Sequence, residues 1–162
     1  MTTFLQSIGD RWKFNAALCA LMPYARVFTG RIPSTEEYRM PYVSVVQGAS
    51  HSLYRSDKTQ AYSVAMAFHI WVDDSDIATA ERIEAAIVAA FSEGSWSYDT
   101  GFGQGRVLDV IDEGPAQKQQ VNQPTYKAWQ AVKAMSFIVE RMRVDVPLDD
   151  VSSYSDESGS SA

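Results

Sequence analysis

The chain has 162 residues, 46% of them hydrophobic and 21% charged, which indicates one folded domain and excludes disordered, collagen-like and coiled-coil chains. Its 14 basic and 20 acidic residues give a formal net charge of −6, which argues against a general electrostatic grip on nucleic acid. Cys19 is the single cysteine, so an internal disulfide framework is excluded, and no apolar stretch approaches the ~20 residues of a membrane span.

The first predicted element is a helix over residues 3–22. Thr3 is a suitable N-cap, and Pro23 ends the helix because proline cannot continue its hydrogen bonds. The pair Gly9–Asp10 is a point where the helix can divide into two pieces. Its apolar side chains recur at helical spacing: Leu5, Ile8, Trp12, Ala16 and Cys19. A short extended segment over residues 24–32 and a polar loop follow.

Two strands are predicted next, at residues 42–47 and 62–72, because both segments are rich in β-branched and aromatic residues. The second strand alternates strictly, and one face carries Val64, Met66, Phe68, Ile70 and Val72. Residues 48–60 between the strands are polar and predict a connecting loop. A loop of that length is long for a hairpin tip, and we expect it to reach a neighbouring molecule.

The second half of the chain predicts a helix over residues 76–92, with an apolar stripe on one side. Residues 94–105 are rich in glycine and serine and predict a flexible loop, followed by a strand over residues 106–112. Another polar connection is predicted over residues 114–127. The last element, residues 129–144, fits helical and strand spacing equally well, so periodicity leaves both open.

These elements predict an α+β fold, with an antiparallel-rich sheet of about four to five strands and two α-helices on one face. We divide the chain into a domain over residues 1–144 and a C-terminal tail over residues 145–162. The tail holds five acidic residues and no basic one, and its serine-rich end cannot form a core of its own. We therefore expect a neighbouring subunit or another partner to hold it.

No catalytic, cofactor-binding or metal-binding constellation is evident, so we do not expect an enzyme. His51 falls in a polar loop and His69 in the middle of a strand, and nothing in the sequence brings them together. Cys19 lies on an apolar helix stripe, where an inert thiol is typical. The acidic run at residues 73–76 lacks the calcium-loop pattern, and the glycines of residues 101–105 lack dinucleotide-loop spacing.

Three regions are candidates for contacts with a neighbouring subunit or partner. The loop over residues 48–60 offers His51, Tyr54 and Arg55. The loop over residues 94–105 offers Trp96 and Tyr98, which either anchor an interface or fold back onto their own domain. The third region is the C-terminal tail, and its candidate contact residues are Asp149, Asp150 and Tyr154.

The order of four sequence segments resembles a known family. They are ARVFTGRIP at residues 25–33, MPYVSVVQ at 40–47, YSVAMAFHIWVDD at 62–74 and IATAERIEAAIVAAF at 77–91. This order, with Pro41–Tyr42 opening a strand and Trp71 near the end of the next, resembles the tail terminators of tailed phages. These proteins are also called tail-completion or tail-to-head joining proteins, and the resemblance covers residues 1–144.

The resemblance implies an α+β subunit that closes into a ring, typically a hexamer, at the head-proximal end of the tail tube. Such a ring caps the tube and joins it to the head–tail connector or stopper protein, and DNA passes through the lumen without specific binding. It further implies a strand over residues 135–144, no cofactor, no membrane, and a place in the virion tail or neck after assembly in the host cytoplasm.

Two other interpretations stay open. One is another neck, head-completion or tube-like subunit of the same kind of particle, which the proteins it binds would distinguish. The other is a small α+β domain that binds a ligand between sheet and helices. A protein that stays monomeric and binds a small molecule would favour this interpretation.

Overall fold

The computed structural model describes residues 3–30, 39–92, 96–99 and 104–142. Within these ranges there are three α-helices: α1 (Phe4–Lys13), α2 (Ala16–Leu21) and α3 (Ile77–Ser92). The strands are β1 (Val27–Thr29), β2 (Tyr42–Arg55), β3 (Thr59–Asp73), β4 (Trp96–Asp99), β5 (Gln104–Asp112), β6 (Gln117–Gln123) and β7 (Tyr126–Met142). A short 3-10 turn, Tyr24–Arg26, precedes β1.

The strands form one seven-stranded mixed sheet that curves into a half-barrel. Its order is β1-β2-β3-β7-β5-β4, and β6 also pairs with β7. The β1–β2 pair is parallel and the other pairs are antiparallel. The long β7 is shared, because β6 pairs with its first half and β5 with its second half. The predicted fold class is therefore wrong: the described part of the chain is mostly β, with seven strands in place of four to five and three helices in place of two.

The N-terminal helical region divides, but at Phe14 and Asn15 rather than at Gly9–Asp10. The side chain of Asn15 accepts a hydrogen bond from the backbone N–H of Leu18 and so starts α2. Gly9 stays within α1, where a Cβ atom would lie 3.3 Å from Cγ2 of Thr29. The missing side chain therefore lets α1 approach β1 closely. Thr3 caps α1 as predicted, in a reciprocal box with Gln6.

The predicted loop over residues 48–60 is wrong, because β2 runs on to Arg55 and β3 already begins at Thr59. The connection is the short turn 56–58, where the N–H of Ser56 donates to the carbonyl of Thr59 over 2.8 Å. The other two predicted connections also contain strands: residues 94–105 include β4 and the start of β5, and residues 114–127 include β6. In β6 the polar side chains give no alternation because this strand is exposed on both faces, whereas in β4 the half-buried Trp96 and Tyr98 flank the exposed Ser97.

The last element is a strand and not a helix. β7 pairs with β3 from Ala128, opposite Asp73, to Met142, opposite Thr59. This confirms a strand over residues 135–142, and residues 143 and 144 lie outside the described part. The core lies between the inward side chains of β3 and β7 and the helices. Phe68 is fully buried, and its ring centroid lies 5.4 Å from that of Phe91, which confirms the predicted apolar face of β3.

Candidate docking surface

A long exposed part of the sheet is the hairpin arm, residues 46–60, formed by the second half of β2, its turn and the start of β3. Every residue from Val46 to Lys58 is exposed. β1 pairs with β2 only at Val43, Ser44 and Val45, so it covers none of the arm. The other side of β3 pairs with β7, which stiffens the arm along its length. The structure thus has a paired strand hairpin where the sequence predicted a loop.

The arm carries apolar side chains in water. Leu53 is 51% exposed, Tyr54 is 47% exposed and Val46 is 39% exposed. Large exposed apolar groups on a polar, rigid support are typical of protein-binding surfaces. His51 is exposed opposite Ser63, and Arg55 is exposed beside the turn, opposite Gln60. The structure therefore brings His51, Tyr54 and Arg55 together on one strand.

Tyr54 also ties the arm to the sheet. Its hydroxyl donates to Oε2 of Glu140 on β7 over 2.5 Å. The other oxygen of Glu140, Oε1, accepts from Nη2 of Arg106 on β5 over 3.0 Å. The Tyr54 hydrogen bond, followed by the one from Arg106, holds the pKa of Glu140 below its ordinary value. The same bond raises the pKa of Tyr54. This cluster links β2, β7 and β5 across β3, and no local pattern in the sequence points to Glu140 or Arg106.

The two histidines do not form a catalytic pair. His51 is next to Ser63 on β3 in the ladder, and His69 lies six positions further along that strand, so about 20 Å separates them at ~3.3 Å per residue. His69 is half-buried, and Nε2 of Gln130 lies 3.1 Å from its Nδ1. Burial lowers the pKa of His69, so its ring is neutral at neutral pH.

Trp96 and Tyr98 lie on β4, at the far end of the strand order from the arm. The Trp96 ring stacks on Phe4 with 6.0 Å between centroids, and the guanidinium carbon of Arg11 lies 4.8 Å from the Trp96 ring. Tyr98 also contacts Phe4, and a Cβ atom at Gly105 would collide with the Tyr98 ring. Both aromatics are half-buried against their own domain, and a partner contact through them stays a prediction.

A buried ion cluster that the sequence did not predict lies around Lys133. Lys133 on β7 is 2% exposed, and its ammonium donates to Oδ1 of Asp112 and to the carbonyl oxygen of Gly114. Oε2 of Glu84 on α3 lies 3.8 Å away and accepts from the N–H of Ala116 over 2.9 Å. The available signal was a lysine at an inward-facing position of an alternating strand.

This cluster lies at one end of a groove of about 580 Å³ between α3 and the β5–β6 turn. Glu81 and Lys118 form a second ion pair there, with 3.4 Å between Oε2 and Nζ. The hydrogen bond from Lys133 is the main reason that the pKa of Asp112 is lowered. Because each charge of the cluster has a partner, we assign it a structural role that holds the β5–β6 turn against α3.

Asp149, Asp150 and Tyr154 lie outside the described residues. Among those that are described, no group of three or more His, Cys, Asp or Glu side chains is placed to hold a metal ion. No helix in the described ranges is long and apolar enough to cross a membrane. The arrangement offers an exposed, partly apolar hairpin arm on one part of the sheet and a groove lined by ion-paired side chains beside α3.

Comparison with known proteins gives a structural match and no sequence match. No family model matches the chain, and no curated protein matches it. Seventeen chains of solved structures match. One is a chain from the structure described as the virion of a native gene transfer agent particle, with a TM-score of 0.61 and 17% sequence identity. The match covers 83% of this chain and 92% of the other, so nearly the whole fold is shared.

Proposed function

We propose that this chain is a structural subunit of a phage-like virion, and more specifically a tail terminator. In this role it closes into a ring, a hexamer by the family resemblance, that caps the tail tube and joins the tail to the head connector. The observation that carries the proposal is the shared fold with a chain of a gene transfer agent virion, over 83% of this chain. The resemblance of residues 1–144 to tail terminators supplies the finer assignment.

The hairpin arm supports an assembly role. It is rigid, it stands at the edge of the half-barrel, and it exposes Leu53 and Tyr54 on an otherwise polar support. We propose that these side chains, with His51 and Arg55, contact a neighbouring subunit or the tail tube. Trp96 and Tyr98 on β4 are a second contact region at the opposite end of the strand order.

The sheet face opposite the core suits a lumen through which DNA slides. In the sheet register, small uncharged side chains lie next to each other there: Ala65 beside Ser136 and Ala67 beside Ala134. Arg106 on the same face is paired with Glu140, so it offers phosphate little free positive charge. A neutral to acidic wall would let the DNA backbone pass without being retained.

The proposal is tested by native mass measurement and negative-stain imaging of the chain alone, with tail-tube protein and with connector protein. A ring, alone or at the end of a tube, is the expected result. Incorporation along the tube, or binding to the connector alone, would replace the terminator assignment with a tube-like or neck subunit. A persistent monomer that binds neither protein would refute the virion role.

A matched pair of variants tests the arm itself. Leu53→Asp places a charge on the exposed arm, and Leu108→Asp places one at a site on β5 that is 38% exposed. We expect Leu53→Asp to abolish the ring and Leu108→Asp to retain it, with both variants folded. Rings formed equally well by both variants would remove the arm from the interface.

A further inference from the structure

The outer edge of the arm is an exposed strand edge. β3 pairs with one side of β2, and on the other side no described strand pairs with the ten residues from Val46 to Arg55. Such an edge presents unpaired N–H and C=O groups that bind other strands, and proteins normally cover it. Charges protect it poorly here, because Arg55 is the single Lys, Arg, Asp or Glu in this stretch.

The C-terminal tail follows the end of β7, which lies beside the turn of the arm. β7 ends at Met142, opposite Thr59 and next to the turn of the arm. A strand added to the outer edge of β2 would be separated from β7 by β2 and β3. Its distance from β7 would therefore be three strand spacings, or about 14 Å at ~4.8 Å each. The five residues 143–147 span about 16 Å when extended, at ~3.3 Å per residue. The chain is therefore long enough to cross the end of the arm.

Direction and length also match. β2 and β7 both run toward the turn of the arm, so a chain that crosses there and turns back runs antiparallel to β2. Antiparallel pairing is the more stable arrangement for adjacent strands. Pro147 has no N–H to donate to a neighbouring strand, so pairing can begin only after it. The ten residues 148–157 that follow are as many as the ten residues of the exposed edge, Val46–Arg55.

The chemistry of the two segments is complementary. Residues 148–157 contain Asp149, Asp150, Asp156 and Glu157 and no basic residue. In the proposed direction the first two carboxylates arrive beside the turn, where Arg55 and Lys58 are exposed. The same segment carries three apolar or aromatic side chains that can pack along the arm: Leu148, Val151 and Tyr154.

We propose that residues 148–157 pair antiparallel with the outer edge of β2, over Val46–Arg55 of the same subunit. This pairing closes the edge to strands from other molecules and leaves the side chains on the faces of the arm free to dock. The inference concerns the free subunit and does not rest on the proposed function. It gives Asp149, Asp150 and Tyr154 a binding site within their own chain.

Amide hydrogen exchange tests the pairing. In the full chain, the outward amides of residues 46–55 should exchange at least ~10-fold more slowly than in a chain ending at Val144. The amides of β6, residues 117–123, are the internal control and should not change. Equal exchange at residues 46–55 in the two chains overturns the proposal, provided that the β3 and β7 amides stay protected in both.

Two full-length double variants test whether the carboxylates of Asp149 and Asp150 contribute to the pairing. Both variants change the net charge of the chain by the same amount. Asp149→Asn with Asp150→Asn should reduce the protection of residues 46–55. Ser160→Lys with Ser161→Lys, beyond the paired segment, should leave it intact. Equal protection in both variants would remove these carboxylates from the pairing.

A mixing experiment tests whether the pairing is intramolecular. Isotope-labelled chain ending at Val144 is mixed with unlabelled full chain, and exchange is followed in the labelled chain. No protection of its residues 46–55 is expected. Protection gained from the unlabelled chain would show that the tail binds a neighbouring copy, and would overturn the same-subunit arrangement.

Discussion

Replacing Lys133 with Met tests whether the buried ion cluster holds the β5–β6 turn to the body of the protein. Methionine retains the length and packing of the lysine stem and removes the ammonium. Two hydrogen bonds disappear, to Asp112 and to the carbonyl oxygen of Gly114. Each hydrogen bond to a charged group contributes about 1.5–3 kcal/mol, which sets a ceiling of about 3–6 kcal/mol on the loss.

The expected loss is smaller than this ceiling. The Asp112 side chain is 45% exposed, so water solvates its carboxylate once the ammonium is gone. Methionine also costs less to bury than a lysine ammonium. We expect the free energy of unfolding to fall by about 2 kcal/mol. For a domain of this size, that lowers Tm by about 4–8 °C.

The pH dependence gives this prediction a signature of its own. Lys133 holds the pKa of Asp112 below its ordinary value of 3.8, so the stabilisation is present above that value. It is lost as the pH falls through the lower pKa of the folded state. The stability difference between wild type and Lys133→Met should therefore be largest near neutral pH and should shrink in acid.

Urea unfolding at several pH values measures the difference, with Lys127→Met as the matched control on an exposed position of β7. A loss below about 0.5 kcal/mol for Lys133→Met would refute a structural role, because that is the range of neutral surface substitutions. A loss that is the same at neutral and acid pH would refute the contribution of the Asp112 carboxylate.

Further predictions concern the core and the arm. Phe68→Ala should lower the free energy of unfolding by about 3–5 kcal/mol, because it removes a fully buried ring; unfolding in urea measures this, and a near-neutral result would contradict its place in the core. Tyr54→Phe should speed amide exchange in the arm near neutral pH. The effect should shrink as the pH falls through the lowered pKa of Glu140, since the hydroxyl bond stabilises the ionised carboxylate. Tyr24→Phe is the control, and the same exchange rates in both variants would argue against the Tyr54–Glu140 link.

The arm and the tail have separate consequences for assembly. If the tail covers the edge of β2, partners dock on the faces of the arm, where Leu53 and Tyr54 are exposed. Removal of the tail would then leave the docking side chains in place and open the edge to non-specific strand pairing. The two changes should therefore produce different defects. Leu53→Asp should give a subunit that does not assemble, and tail truncation should give a subunit that associates non-specifically.

The sequence by itself determined the elements whose side chains are sorted between core and water. The alternation at residues 62–72 and the helical stripe at residues 76–92 are local patterns, and the structure has β3 and α3 there. Thr3 and Pro23 likewise marked the ends of the N-terminal helical region, because capping and the missing proline N–H act within a few residues.

Only the tertiary structure decided the remaining strands. The arm and β6 are polar and exposed on both faces, so burial leaves no period in their sequence, and they are strands because β3 and β7 offer backbone partners. The same holds for the charged contacts. Tyr54 and Glu140, which share a hydrogen bond, are 86 residues apart in the chain. Lys133 on β7 forms an ion pair with Glu84 on α3. Which distant residue supplies a partner depends on how the strands are ordered, and no local pattern records that order.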